Sequence, residues 1–134
     1  MSSVRSVAAL EAGAFAGQHH VVVAFCADWC GTCRDFRPVL ERLSAAHEQL
    51  GFLWVDIEDD AAVAGDIEVE SFPSLLILRE GRPVYFGTSL PLEEVVDRLI
   101  RSALSSPVPL SPAPEEVWSF GALLVDPAPT TGAV

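Results

Sequence analysis

The chain contains no lysine, and this absence sets the character of its surface charge. Eight arginines are set against nineteen acidic residues, so the formal net charge of the 134-residue chain is −11. Nucleic acids and anionic membrane surfaces are bound through concentrated positive charge, which this chain does not have. We therefore expect neither a nucleic acid nor a membrane among its partners.

Long apolar runs are also missing, and cysteines are few. No apolar stretch approaches the roughly 18 residues that a membrane span requires. Glu11 interrupts the Ala-rich N-terminal stretch, which carries a single arginine, so we do not expect an export signal there. Three cysteines are too few for a disulfide scaffold in a chain of this length. The sequence predicts a cytoplasmic protein whose thiols are held reduced.

Strand-like and helix-like segments alternate over the first hundred residues. Uninterrupted, largely β-branched or apolar segments predict buried strands at 19–27 and 52–58. A hairpin is expected after Pro73, with its turn at 80–82. A short strand and an Ala-rich helix are expected within 4–17, and a short helix after Asp59 or Asp60. The strand-helix-strand order predicts an α/β fold with a mixed sheet and helices on both faces.

Apolar residues at helical spacing predict two longer helices. The first follows the second cysteine and contains Pro38, with Gly51 as its C-terminal stop and His47 on its surface. The second runs to Leu104, with Pro91 near its start.

Composition changes at about Ser105, which divides the chain into a domain at 1–104 and an extension at 105–134. The extension holds six of the ten prolines and no basic residue. It also contains the apolar segment 117–125, VWSFGALLV, which is too apolar for a solvated tail. We expect this segment to dock onto the domain; the alternative is a recognition segment for a partner.

Two of the cysteines, Cys30 and Cys33, enclose Gly31 and Thr32 in a Cys-x-x-Cys motif. A structural zinc site needs four ligands, usually from two such motifs or from one motif and histidines. Because the chain has no second motif, we expect no metal at this pair. The remaining alternative is two incidental buried cysteines, which the intervening glycine and the adjacent Trp29 argue against.

A redox role has a physical basis at this position. The pair stands where a predicted strand ends and a predicted helix begins, so the first thiol lies over the free N–H groups of the helix start. The positive end of the helix dipole favours a thiolate there, and Arg34 adds positive charge. Cys30 is then the exposed nucleophile, and Cys33, one turn later, is the more buried resolving thiol.

The segment 25–43, FCADWCGTCRDFRPVLERL, resembles the active-site segment of the thioredoxin family, in which Trp-Cys-Gly-x-Cys precedes a helix containing a proline. A second resemblance lies at 70–87, ESFPSLLILREGRPVYFG, since thioredoxins carry a cis-proline before a C-terminal hairpin and a glycine after it. Pro73 and Gly87 stand at those positions. Together the motifs cover about 4–104 and leave the C-terminal extension as an atypical addition.

The resemblance implies a thioredoxin fold whose Trp-Cys-Gly-Thr-Cys motif, including Gly31 and Thr32, is a redox-active centre without a cofactor. It also implies a groove for an extended substrate peptide, formed by Cys30, Trp29, Phe72, Pro73 and Gly87. The implied partners are protein disulfide substrates, with a reductase or a dedicated client protein. The implied processes are electron transport and cell redox homeostasis.

Four positions depart from the thioredoxin pattern, and three of them concern the proton relay and the residue pair between the cysteines. Thioredoxins usually carry a buried Asp six residues before the nucleophile and a partner lysine across the sheet, where this chain has Ala24 and Trp54. Losing both leaves no stranded charge. Without this proton relay, we expect slower disulfide turnover near neutral pH. Thr32 replaces the usual proline between the cysteines, so we expect a less reducing couple.

The third cysteine, Cys26, stands where thioredoxins often have a tryptophan. We expect it to be a small buried hydrophobic residue. The alternative is a third redox participant that bridges to Cys30 or Cys33.

These observations predict a protein-disulfide oxidoreductase of thioredoxin type, in which Cys30 attacks and Cys33 resolves. The alternative is a thioredoxin-fold binding or assembly module, such as a partner-specific chaperone or maturation factor, with little general reductase activity.

Overall fold

A computed structural model describes residues 4–6, 15, 19–27, 30–58, 67, 69, 72–106 and 112–125 of the chain. Its strands are β1 (Val4–Ser6), β2 (His20–Cys26), β3 (Gly51–Asp56), β4 (Ser74–Arg79) and β5 (Arg82–Thr88). Its helices are α1 (Gly31–Ala46), α2 (Glu93–Ser105) and α3 (Glu115–Val125). The helices expected within 4–17 and after Asp59 fall almost wholly outside the described residues.

The five strands form one mixed sheet in the order β1-β3-β2-β4-β5. β3 is parallel to both β1 and β2, whereas β4 is antiparallel to β2 and to β5. The central strands β2, β3 and β4 are almost entirely buried, which explains their uninterrupted apolar sequences. The predicted mixed α/β sheet with helices on both faces is confirmed.

Side-chain alternation along the strands divides the core into two layers. One face packs against α1 and α2 and contains Ala24, Cys26, Trp54 and Ile77 together with Cys33 and Phe36 of α1. The other face contains Val23, Phe25, Leu53 and Leu76, and Phe15 packs against it. The cysteines therefore lie on the α1–α2 side of the sheet.

The first helix ends earlier than the sequence indicated. α1 stops at Ala46, and the His47 N–H donates to the Leu43 carbonyl at 2.9 Å. The predicted stop at Gly51 is wrong, because Gly51 is the first residue of β3. A Cβ atom there would lie 2.5 Å from Cδ1 of Phe15, so close packing against that ring, not helix termination, requires the glycine.

His47 is buried, contrary to the expectation of a surface position on the helix. Its Nε2 lies 2.7 Å from Oδ1 of Asp97 on α2, and Oδ2 of Asp97 is 2.9 Å from Nε of Arg101. The pair ties the end of α1 to the middle of α2.

The apolar segment at 117–125 lies within α3, which packs on the sheet face opposite α1 and α2. Val117, Phe120 and Leu124 are buried there, and the Phe120 ring centroid is 5.8 Å from that of Phe25. The Phe15 N–H donates to the Leu124 carbonyl at 2.9 Å. Trp118, on the outer side of α3, is 44% exposed. Among the helices described here, none is both long and apolar enough to cross a membrane.

Candidate active site

Cys30 is the residue from which α1 begins. Its backbone is extended, with φ −87° and ψ 121°, and its carbonyl accepts a hydrogen bond from the Arg34 N–H at 3.1 Å. The Cys30 N–H donates to the Ala27 carbonyl at 3.0 Å, which closes the turn out of β2. Gly31 and Thr32 are exposed in the first turn of the helix, and Cys30 is a half-buried free thiol. This is the strand-to-helix junction that the motif predicted, whereas Trp29 lies outside the described residues.

Cys33 is fully buried one turn into α1, and its disulfide partner is Cys26. Cys26 is the last residue of β2 and is also fully buried. The two Cα atoms are 5.7 Å apart, a normal separation for a disulfide. Cys26 is therefore buried as expected, and it also forms the bridge to Cys33 that the sequence left as an alternative.

Ala24 and Trp54 lie directly opposite each other in the parallel register of β2 and β3. Both are buried on the sheet face that carries Cys26 and Cys33. The guanidinium of Arg37 on α1 lies 5.0 Å from the centroid of the Trp54 ring, so it caps this edge of the core. Ala24 and Trp54, which stand at the positions of the usual thioredoxin proton relay, are therefore paired apolar neighbours in the sheet.

The segment before β4 places Phe72 and Pro73 as the resemblance implied, with a cis peptide bond between them. Phe72 and Cys30 are both half-buried at the margin of the α1–α2 side of the core. Gly87, which the resemblance also implies for the groove, lies opposite Leu75 in the β4–β5 register. The residue hydrogen-bonded to the cis-proline is Ser89, whose N–H donates to the Pro73 carbonyl at 3.1 Å.

Asp56 is a second residue that sequence reasoning missed. It is a buried carboxyl in β3, directly opposite Cys26 in the register, and its Oδ1 accepts a hydrogen bond from the Glu58 N–H at 2.9 Å. Strand alternation places it on the same face as Cys26. Its position as a charged residue between Val55 and Ile57, inside the strand predicted to be buried at 52–58, was the available signal.

In the part of the chain that the structure describes, no three His, Cys, Asp or Glu side chains are grouped closely enough to hold a metal ion. What the site does bring together is three cysteines, two of them bonded and one free, on the side of the core that Phe72 also borders. This arrangement supports thiol-disulfide exchange.

Comparison with known proteins identifies the family. The thioredoxin family profile matches residues 8–99. A thioredoxin of Staphylococcus aureus (strain Mu50 / ATCC 700699) is 37% identical over 82 residues, which cover 58% of this chain and 79% of that protein.

Solved thioredoxin structures share the fold. Thioredoxin NaTrxh from Nicotiana alata superposes with a TM-score of 0.58 at 27% identity, covering 64% of this chain and 74% of that chain. The structure of thioredoxin f2 in complex with ferredoxin: thioredoxin reductase superposes with a TM-score of 0.58 at 25% identity, covering 66% and 80% of the respective chains.

Proposed function

Because this chain belongs to the thioredoxin family and is a thiol-disulfide oxidoreductase, we propose that Cys30 is its attacking thiol and Cys33 its resolving thiol. The observation that carries this assignment is the difference in burial between the two residues. Cys30 is a half-buried free thiol at the start of α1, and Cys33 is fully buried behind it. A client disulfide has access to the first thiol and not to the second.

The helix start supports the nucleophilic role of Cys30. The first N–H groups of α1 have no partners within the helix, so the positive end of the helix dipole lies at the N-cap position that Cys30 occupies. Attack by Cys30 on a client disulfide forms a mixed disulfide and releases one client thiolate. Cys33 then attacks the Cys30 sulfur and releases the second client thiol.

We infer the substrate class from the peptide groove that the family resemblance implies beside Cys30. To this groove we assign Trp29, Phe72, Pro73 and Gly87, as the family resemblance implies, and we add Ser89, whose N–H donates to the Pro73 carbonyl. An extended peptide pairs with exposed backbone at such an edge, and apolar side chains beside it fix the position of the client cysteine. Leu90, which follows Ser89, is 61% exposed and extends this apolar surface. The clients are therefore protein disulfides.

The source of electrons is a partner of reductase type or another dithiol protein. The thioredoxin f2 structure, which is similar to this chain, was solved with a reductase. We also propose a role in electron transport and a cytoplasmic location. The support for the location is that the cytosol keeps protein thiols reduced. We also assign α3 to the folded domain and not to a partner, since its apolar side packs on the sheet.

The proposal is tested by trapping clients covalently. The Cys33→Ser variant should accumulate disulfide-linked clients on Cys30, because the attack succeeds and the resolving step is removed. The trap is made in a Cys26→Ala background, so that Cys26 cannot resolve the mixed disulfide in place of Cys33. The captured species are released by dithiothreitol and identified by mass spectrometry.

The matched control is the Cys26→Ala, Cys30→Ser, Cys33→Ser variant, which has no thiol. It should capture no client under the same conditions. Clients held equally by the control and the trap would support the binding or assembly module and refute the redox assignment. Insulin reduction that persists at the wild-type rate in Cys30→Ser would refute the role of Cys30.

A further inference from the structure

Cys33 has two cysteines placed to bond with it, and this is the feature from which the inference starts. Cys30 precedes it by three residues at the start of α1, within one turn of the same helix. Cys26 approaches from the end of β2 and is the partner to which Cys33 is bonded in the structure. Cys26 and Cys33 are fully buried, whereas Cys30 is half-buried and free.

We propose that Cys26 is a third catalytic thiol. After each oxidation it displaces Cys30 from the Cys30–Cys33 disulfide, so that the disulfide is held in the core between Cys26 and Cys33. The inference rests on the dithiol chemistry proposed above for Cys30 and Cys33. It adds a second exchange inside the protein, so that the oxidised resting form carries a Cys26–Cys33 bond and a free Cys30 thiol.

The added step is redox-neutral. After the client leaves, the protein holds a Cys30–Cys33 disulfide and a Cys26 thiol. Cys26 attacks the Cys33 sulfur as a thiolate, the Cys26–Cys33 bond forms, and the Cys30–Cys33 bond breaks. Cys30 leaves as a thiolate and takes up the proton that Cys26 lost, so one disulfide and one thiol are present before and after.

The geometry gives this exchange a direction. In the Cys26–Cys33 form, both bonded cysteines are fully buried in the apolar cluster that includes Ala24, Trp54 and Phe36, with the Asp56 carboxyl opposite Cys26 in the sheet. An external thiol reaches that bond only after local opening of the structure. Cys30 needs no such opening, because it is on the same helix turn as Cys33. Reduction therefore proceeds through Cys30, which attacks Cys33, restores the Cys30–Cys33 bond and presents it to the reductant.

The experiment maps the disulfide in the full-length oxidised protein. Reduced protein is oxidised with diamide, quenched in acid, unfolded and alkylated with N-ethylmaleimide at its remaining thiol. Cleavage before Asp28 and Asp35 then separates Cys26 from a peptide, 28–34, that contains Cys30 and Cys33. We expect the label on Cys30 and a disulfide that joins the two peptides. A label on Cys26, with the bridge inside peptide 28–34, would overturn the inference.

Alkylation of the folded, oxidised protein provides an independent measurement. Wild type should react at one residue, Cys30, whereas oxidised Cys26→Ala should have no reactive thiol because Cys30 and Cys33 are bonded to each other. Equal labelling of the two proteins would contradict the inference. If an unstable Cys26→Ala variant unfolds, Cys26→Ser replaces it, since the hydroxyl keeps nearly the same volume and cannot form the bridge.

The role of Cys30 as the route for reduction is tested with Cys30→Ser. This variant should oxidise to a Cys26–Cys33 bond. Dithiothreitol added to the folded protein should reduce that bond at least about tenfold more slowly than it reduces the disulfide of the wild type, because only local opening exposes the bond. Equal rates would refute the route. Failure of client trapping by Cys30 would refute the proposed function itself, whereas a Cys30–Cys33 bridge in the mapped protein would refute only the role of Cys26.

Discussion

At the scale of single residues, the pair Ala24 and Trp54 determines what the active site can do with protons. They lie opposite each other in the β2–β3 register, buried on the face that holds Cys26 and Cys33. Neither side chain carries an ionisable group, so neither transfers a proton to or from the buried thiols. Arg37 contacts Trp54 from outside the core. The proton must instead come from another group: the buried Asp56 carboxyl opposite Cys26, solvent, the client, or a thiol within the site.

The apolar character of this contact can be tested by restoring one charge. Ala24→Asp places a carboxylate against Trp54 without a partner, and we expect it to lower the free energy of unfolding by roughly 3 kcal/mol or more. Urea denaturation measures the change. Ala24→Asp combined with Trp54→Lys should recover part of the loss, since the charges then pair. If Ala24→Asp alone were as stable as wild type, water or another group would have to compensate the buried carboxylate.

At the scale of secondary-structure elements, α3 is the addition that distinguishes this chain from the thioredoxin pattern recognised in its sequence. Its buried side, Val117, Phe120 and Leu124, packs on the sheet face opposite the cysteines. The close approach of α3 to the β4–β5 turn depends on Gly121, since a Cβ atom there would meet the Gly81 carbonyl oxygen. Gly121 is thus a packing residue within a helix.

This contact gives a prediction whose sign is informative. In an isolated helix, Gly→Ala stabilises by about 1 kcal/mol. If α3 is packed as described, Gly121→Ala should instead lower the free energy of unfolding by about 1–3 kcal/mol, because the clash is with backbone. Ser119→Ala, at an exposed position on the same helix, is the control and should be neutral or slightly stabilising. Stabilisation by Gly121→Ala would mean that α3 does not rest on the turn.

The elements near the active site were largely predictable, and the contacts between them were not. The order of β2, the cysteine motif and α1 follows from an apolar run, a turn and helical spacing, all of which are local. Which cysteine bonds to Cys33 depends on where β2 ends relative to α1, which is a tertiary property. Likewise, the hydrogen bond from the Ser89 N–H to the Pro73 carbonyl depends on the β4–β5 register, which shifts between Ile77 and Leu78 and cannot be obtained by counting along the chain.

At the scale of the whole molecule, the α1–α2 layer is joined by a polar contact beneath a strongly acidic surface. His47 and Asp97 connect the end of α1 to α2, and both helices cover the face that contains the cysteines. The hydrogen bond from His47, aided by Arg101, holds the pKa of the Asp97 carboxyl below its usual value of 3.8 despite partial burial. A group of this kind links the fold to pH.

The sign of that link follows from the lowered pKa. Asp97 contributes stability that is fully present above its unfolded pKa, near 3.8, and is lost as the pH falls through the lower pKa of the folded state. Asp97→Asn removes the contribution and leaves the buried His47 with a weaker partner, so we expect a loss of about 1–2 kcal/mol at pH 7. The stability curves of the variant and of wild type should converge as the pH falls well below 3.8.

The matched control for Asp97→Asn is Glu93→Gln, which removes one negative charge from the same helix. Glu93 is in an exposed ion pair with Arg42 at 2.8 Å, and such pairs contribute about 0–1 kcal/mol. Denaturant unfolding of both variants and wild type from pH 7 to pH 2 measures the comparison. The gap between Asp97→Asn and wild type should close in acid, whereas the small Glu93→Gln effect should already be near zero at moderate salt. A gap for Asp97→Asn that stays constant across this range would show that the variant acts through packing and not through the charge of the carboxyl.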